Sequence, residues 1–205
     1  SEDYRIVQTL PTIKYLIKKK AKIIIMAHLG RPDGRVVELL RLDPVAVRLS
    51  KLLKKDIYKS DDILGPEVES CIKNLKGGDV LMLENIRFDG REEKADKRLA
   101  LALAQLGDIY VNDAFAVCHR DQASVSTIAN YLPAYAGFLL ENELKNLSTV
   151  TIQPLRPLTV IIGGAKISTK IKLIKRFLKL ANHVLLGGAL ANTVLNVMGV
   201  STGKS

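Results

Sequence analysis

The chain reads as an α/β protein. The expected architecture is a doubly wound parallel sheet in three layers (α/β/α), followed by the start of a second α/β domain. Three observations predict this. Short apolar runs carry no polar alternation, which is how strands covered on both faces look. Segments of helical period separate them. The strand and helix order then restarts beyond a proline-bearing connector.

In chain order, Ile6, Leu10, Ile13, Leu16 and Ile17 form a first helical stripe, and residues 23–27 a first strand. Val45, Val47, Leu49, Leu52 and Leu53 give a second stripe. Residues 80–83 form the next strand, with Cys71 inside a helix before it. Leu99, Leu101, Leu103 and Leu106 mark a third stripe, ahead of a strand at 109–111. Gly137 precedes an amphipathic stretch with Leu139, Leu140, Leu144 and Leu147 on one side. Residues 148–157 then form a connector containing Pro154 and Pro157. Strands at 158–162 and 184–186 flank a fourth stripe of Ile171, Ile174, Phe177 and Leu178, and residues 191–198 read as helix. The expected domains are 1–137, an interdomain helix and linker at 138–157, and an incomplete domain at 158–205. Two strands are too few for an independent sheet with a covered core.

Composition narrows the function classes. The chain has 205 residues, 47% hydrophobic and 25% charged, as expected of a globular protein. No apolar run approaches the ~18 residues of a membrane span, and no secretory signal pattern opens the chain. Cys71 and Cys118 are too few and too far apart for a disulfide scaffold and fit a reducing, cytoplasmic setting. Trp is absent and aromatics are 5%, so stacking platforms for single-stranded nucleic acid are sparse. The net charge of +10 is uneven: residues 1–60 and 151–205 each carry +8, and the middle is acidic. The bland reading of those lysines is solvated helix faces. The alternative is two places where anions bind.

Five motifs lie just beyond strands, where open α/β sheets bind ligands. His28-Leu29-Gly30-Arg31-Pro32 offers backbone donors, an imidazole and a guanidinium. Glu84-Asn85-Ile86-Arg87-Phe88 supplies a second Arg. Asn112-Asp113, with His119-Arg120 beyond, supplies a third, Asp113 reading best as a helix cap. Three Arg and two His at one sheet edge describe a basic cleft for a small, strongly anionic ligand. Gly163-Gly164-Ala165-Lys166, with Lys170 one turn on, offers close backbone approach and two ammonium groups for phosphate. Gly187-Gly188 repeats the glycine pair at the next strand end; its alternative reading is helix–strand packing. The terminal Gly199-Val200-Ser201-Thr202-Gly203-Lys204-Ser205 is not a P-loop: three residues, not four, separate its glycines, and a helix precedes it. The three His and two Cys show no metal-ligand spacing, so no metal residue is assigned.

In their order and spacing, these motifs resemble phosphoglycerate kinase, and so does the opening Glu2-Asp3-Tyr4-Arg5-Ile6. The resemblance covers essentially the whole chain. It implies reversible phosphoryl transfer between 1,3-bisphosphoglycerate and ADP, giving 3-phosphoglycerate and ATP, with Mg²⁺, in a cytoplasmic enzyme that is a monomer when complete and closes by a hinge. By position, it implies that Arg5, His28, Leu29, Gly30, Arg31, Arg87 and Arg120 hold the phosphoglycerate. Arg5 and Lys170 would act on the group in transfer. Gly163, Gly164, Lys166, Lys170, Gly187 and Gly188 would line the nucleotide. Thr169 stands where the family usually has Asp, and Ala27 and Cys118 depart from common family choices. The family's first strand and most of its nucleotide domain, including the Mg²⁺-associated Asp, would lie outside these residues. Weak binding and no turnover are expected of the chain as it stands. Two other classes compete: a non-catalytic small-anion-binding α/β module, and a basic nucleic-acid-binding protein.

Overall fold

The structure is a computed structural model describing residues 3–152, 154–164, 168 and 170–203. It divides into two compact units, 1–143 and 144–205.

In the first unit, β1 (Ile23–Ile25), β3 (Val80–Met82) and β2 (Tyr58–Lys59) form a parallel sheet in that order. The alternation of β3 explains the layers. Val80 and Met82 join Ile23 against Leu10 and Ile13 of α1 (Tyr4–Lys18) and Ala46 and Leu49 of α2 (Asp43–Leu53). Leu81, with Leu83 just beyond, faces the other way. These residues pack with Val68 of α3 (Pro66–Asn74) and Leu99 and Leu103 of α4 (Lys97–Ala104). Successive strand residues point to opposite faces, so an unbroken apolar run is what a sheet between two helical layers requires. Leu81 and Leu83 are fully buried, and truncating either to Ala would cost about 2–5 kcal/mol.

The helix ends follow from local chemistry. Pro44 and Pro66 open α2 and α3 at positions that need no N–H donor. Asp96 caps α4 by accepting from the Arg98 and Leu99 N–H groups at 2.9 Å each. Parallel β4 (Tyr110–Asn112) and β5 (Ala134–Ala136) lead to α5 (Phe138–Thr151). Asp113 caps α5, accepting from Leu139 N–H at 2.9 Å and Leu140 N–H at 3.2 Å. The Phe138 N–H donates to Thr12 Oγ1 at 2.9 Å, and the Tyr15 and Phe138 rings meet edge to face.

In the second unit, parallel β6 (Thr159–Gly163) and β7 (His183–Gly187) flank α6 (Ile171–Leu180), and α7 (Ala189–Val197) follows. Ile162, Phe177 and Leu190 form its small core.

The expected α/β class and parallel pairing hold. Two strands carry no sequence signal: β2 is two residues long, one of them Lys59, and β5 is the exposed Ala134-Tyr135-Ala136. Six residues assigned to apolar stripes are exposed: Val47, Leu101, Leu144, Leu147, Ile171 and Leu178. At 100° per residue Val47 and Leu101 fall off the face their neighbours define, and Ala46, Ala100 and Ala104 take the buried places. The strand expected at 109–111 is β4, which starts at Tyr110 and leaves Ile109 exposed. Gly199–Gly203 follows α7 rather than a strand, as a rejected P-loop should.

Candidate functional site

Three loops leave the carboxyl ends of parallel strands in the first unit. The loop after β1 carries His28 to Arg31. The loop after β3 carries Glu84 to Phe88. The segment after β4 carries Arg120. Arg5 is the second residue of α1. The structure brings three of these groups, Arg87, Arg120 and Arg5, around the His28 imidazole. Burial first, then the positive charges of Arg87, Arg120 and Arg5, push the His28 pKa down from 6.5 to about 4. His28 is therefore neutral at pH 7, able to accept on one nitrogen and donate from the other.

Arg87 is the centre of the arrangement. Its side chain is only 6% exposed. Nη1 donates to the Gly30 carbonyl at 2.8 Å. Nε and Nη2 are buried without a hydrogen-bond partner; the Glu93 carboxylate makes an ion pair with Nε at 3.5 Å but no hydrogen bond. Buried donors left unmade are costly. A guanidinium with two free donors fits a planar oxyanion. Arg120 Nε is also buried without a partner. Leu29, Gly30, Arg31 and His119 are exposed. Arg31 and His119 are not among the groups whose charge acts on His28.

The loops are tied down by buried polar side chains. Glu84, 2% exposed, accepts from Leu42 N–H at 3.0 Å, Asn85 N–H at 2.7 Å, Arg41 Nη1 at 3.0 Å and Lys59 Nζ at 3.0 Å. Burial alone would raise its pKa; the donors outweigh it and hold the carboxyl below its ordinary range. Glu92, 1% exposed, accepts from Ser124 N–H at 2.9 Å and Ser124 Oγ at 2.6 Å. Its backbone carbonyl accepts from Ala123 N–H at 3.0 Å. The Arg120 and Arg87 segments are joined in this way. Burial pushes the Glu92 carboxyl up.

In the second unit, Gly163 pairs with Gly187 at the ends of β6 and β7. Gly164 (φ +137°) adopts backbone open to glycine. A Cβ there would lie 2.6 Å from Lys170 Nζ, so the ammonium packs directly over bare backbone. The Gly164 carbonyl accepts from Leu190 N–H at 3.0 Å, and Gly188 (φ +63°) precedes α7. Lys166 lies outside the described residues.

No group of three or more His, Cys, Asp or Glu side chains able to hold a metal ion occurs among the described residues. Residues 151–205 contain no Asp or Glu at all. The described residues do not fit a Mg²⁺ centre. A cavity of about 460 Å³ lined by Ser50, Lys54, Lys55, Asp56, Tyr58 and Asp79 holds none of the residues singled out above.

Sequence reasoning placed Glu84 and Asn85 in a strand-end motif without a role, and missed Glu92. The available signal was a polar pair immediately after four apolar residues: a carboxylate and an amide entering the core must find partners there.

A parallel α/β fold collects guanidiniums at its strand ends, one of them buried with Nε and Nη2 outside any hydrogen bond, an arrangement chemically suited to a small anion. The comparisons give the family. The family model for phosphoglycerate kinase matches residues 1–205. The chain is 49% identical over its whole length to a phosphoglycerate kinase of Moorella thermoacetica, and 45% to one of Pelotomaculum thermopropionicum, covering 52% of each. Among solved structures, it matches phosphoglycerate kinase from Coxiella burnetii (TM-score 0.86, 40% identity, all of this chain and 51% of that one). It also matches the enzyme from Pyrococcus horikoshii (TM-score 0.85, 35% identity, 98% and 51%). The chain belongs to the phosphoglycerate kinase family, and it spans about half the length of the curated relatives it matches.

Proposed function

We propose that the chain is part of an enzyme that moves a phosphoryl group between 1,3-bisphosphoglycerate and ADP. On this reading residues 1–137 hold the phosphoglycerate, 138–157 form the interdomain helix and linker, and 158–205 contribute to the nucleotide side. The observation that carries it is Arg87: buried, with Nε and Nη2 unpartnered, beside a neutral His28 and two further guanidiniums.

Phosphoryl transfer asks the protein for position and charge more than for covalent chemistry. Arg87 and Arg120 would satisfy their orphaned donors on the phosphoglycerate oxygens. His28 would donate a neutral hydrogen bond, with Arg31 and the Leu29–Gly30 backbone closing the site. The acceptor is a carboxylate already ionised at neutral pH, so no general base is needed. Arg5, exposed on α1 with its charge felt at His28, is the group free to follow the transferring phosphoryl. Lys170 over Gly164, with Lys166, Gly163, Gly187 and Gly188, would receive the nucleotide phosphates. Among the described residues no helix is long and apolar enough to cross a membrane.

The test is a coupled ATP assay on the complete polypeptide containing these residues. Arg5→Ala should lower kcat far more than it raises KM for 3-phosphoglycerate. Equal losses in the two would remove Arg5 from the transition state. Saturable phosphoglycerate binding without any turnover would favour the anion-binding module.

A further inference from the structure

We infer that Asn85 is a positioning residue: its buried carboxamide locks the His28–Arg31 loop and the Arg87 backbone into one rigid frame for the anion. The inference rests on the phosphoglycerate reading of the patch, and adds to it a residue that never meets the ligand.

Asn85 is 0% exposed. Its Nδ2 donates to the Leu29 carbonyl and to the Leu40 carbonyl, each at 2.9 Å. Its Oδ1 accepts from the Arg87 N–H at 3.1 Å. Both amide hydrogens and the oxygen are thus used, on three separate stretches of backbone. The two carbonyls come from opposite ends of the excursion between β1 and α2, the stretch that carries Gly30 and Arg31. The third partner starts the turn that carries the Arg87 side chain back to the Gly30 carbonyl. The Ile86 N–H closes the same frame on the Ala27 carbonyl at 3.1 Å, and the Glu84 carboxylate holds the Asn85 N–H at 2.7 Å.

The chemistry admits few substitutes. Two carbonyls require two donors, and one N–H requires one acceptor, within the reach of a short side chain. Only a carboxamide supplies both from one plane. Asp is the same size but would turn an oxygen toward two carbonyl oxygens. Ala would take away the side-chain partner of both carbonyls and of the Arg87 N–H. Released, the loop would rehydrate His28 and change its distance from Arg87, Arg120 and Arg5, the charged groups that face it. Misplacement by about 1 Å in a preorganised site is enough to cost large factors.

The experiment follows 3-phosphoglycerate binding and the His28 ring titration by NMR, in the unsubstituted chain and in Asn85→Ala and Asn85→Asp. In the variants, affinity should fall about tenfold or more. The His28 midpoint, without ligand, should move from about 4 toward 6.5. A side chain that served only stability would leave the folded-state His28 titration in place. Variants that fold, bind within about twofold of the unsubstituted chain and keep the His28 midpoint would overturn the inference. If neither variant folds, amide exchange in the unsubstituted chain decides. Protection of the Arg87 N–H at the level of β3, unchanged by ligand, supports the frame; exchange as fast as an exposed loop overturns it. Failure of the phosphoglycerate reading looks different: the unsubstituted chain would not bind the ligand, while the His28 shift between variants would remain.

Discussion

On the reading proposed above, the chain would receive anions by two contrasting constructions. In residues 1–143 the donors are side chains on loops tied down by the buried groups Asn85, Glu84 and Glu92, with Arg87 bonded to the Gly30 carbonyl. In residues 144–205 the construction is bare backbone at glycines, with Lys170 laid over Gly164. The first kind of site has a shape before any ligand arrives. The second has little side-chain shape, and no acid anywhere in residues 151–205 to balance its cations. Locked guanidiniums suit a small ligand that must be told from its relatives. Backbone and ammonium groups suit a phosphate chain, which any positive, close-fitting edge will accept.

The largest effect should come from cutting the frame of the first site. Glu84→Ala leaves Lys59 and Arg41 beside an empty buried position and should cost about 3–5 kcal/mol in urea unfolding at neutral pH. The carboxyl lies below its ordinary range in the fold, so its contribution is fully present above the unfolded-state value. It is lost as pH falls through the lower folded value. A Glu84→Ala defect that persists undiminished in acid would contradict this. Next, Arg87→Ala removes the free donors and should weaken 3-phosphoglycerate binding by more than about tenfold in a calorimetric titration. ADP binding should be untouched, because the two constructions are chemically independent.

Gly164→Val attacks the second construction alone. A Cβ would collide with the Lys170 ammonium and strain a φ of +137°, at a cost of about 1–3 kcal/mol. In the complete polypeptide, KM for ADP should rise and KM for 3-phosphoglycerate should hold. The smallest effect is a proton. His28 is neutral at pH 7 because burial and three Arg charges depress it. The unfolded chain takes up that proton first, so stability should decline as pH falls from 6.5 toward 4 and level off below. A bound anion offsets the Arg charges and raises His28, so phosphoglycerate binding near pH 5 should take up protons. Calorimetry in buffers of different ionisation heat reads this directly.

Much of the first construction was legible in the sequence. Apolar runs without alternation marked β1 and β3 and two covered faces, and strand ends marked where His28, Arg87 and Arg120 would emerge. What was hidden depends on distance along the chain. Asn85 meets Leu29 and Leu40 across 56 and 45 residues, and Glu92 meets Ser124 across 32. No local period encodes such pairs. Strands β2 and β5 were invisible because backbone pairing to a neighbour, not apolar side chains, defines them. Asp113 was legible as a cap, though the helix it caps starts at Phe138 rather than next in the chain.

On the proposed reading, the buried Arg87 donors that lack hydrogen-bond partners would close on the phosphoglycerate. The Arg87 guanidinium N–H signals, followed by ¹⁵N NMR as 3-phosphoglycerate is added at millimolar concentrations, decide it. A saturable one-to-one shift of the Arg87 Nε–H and of the His28 ring is expected, with both responses absent in Arg87→Ala. A titration that saturates while leaving the Arg87 guanidinium unmoved, or that proceeds unchanged in Arg87→Ala, would contradict it.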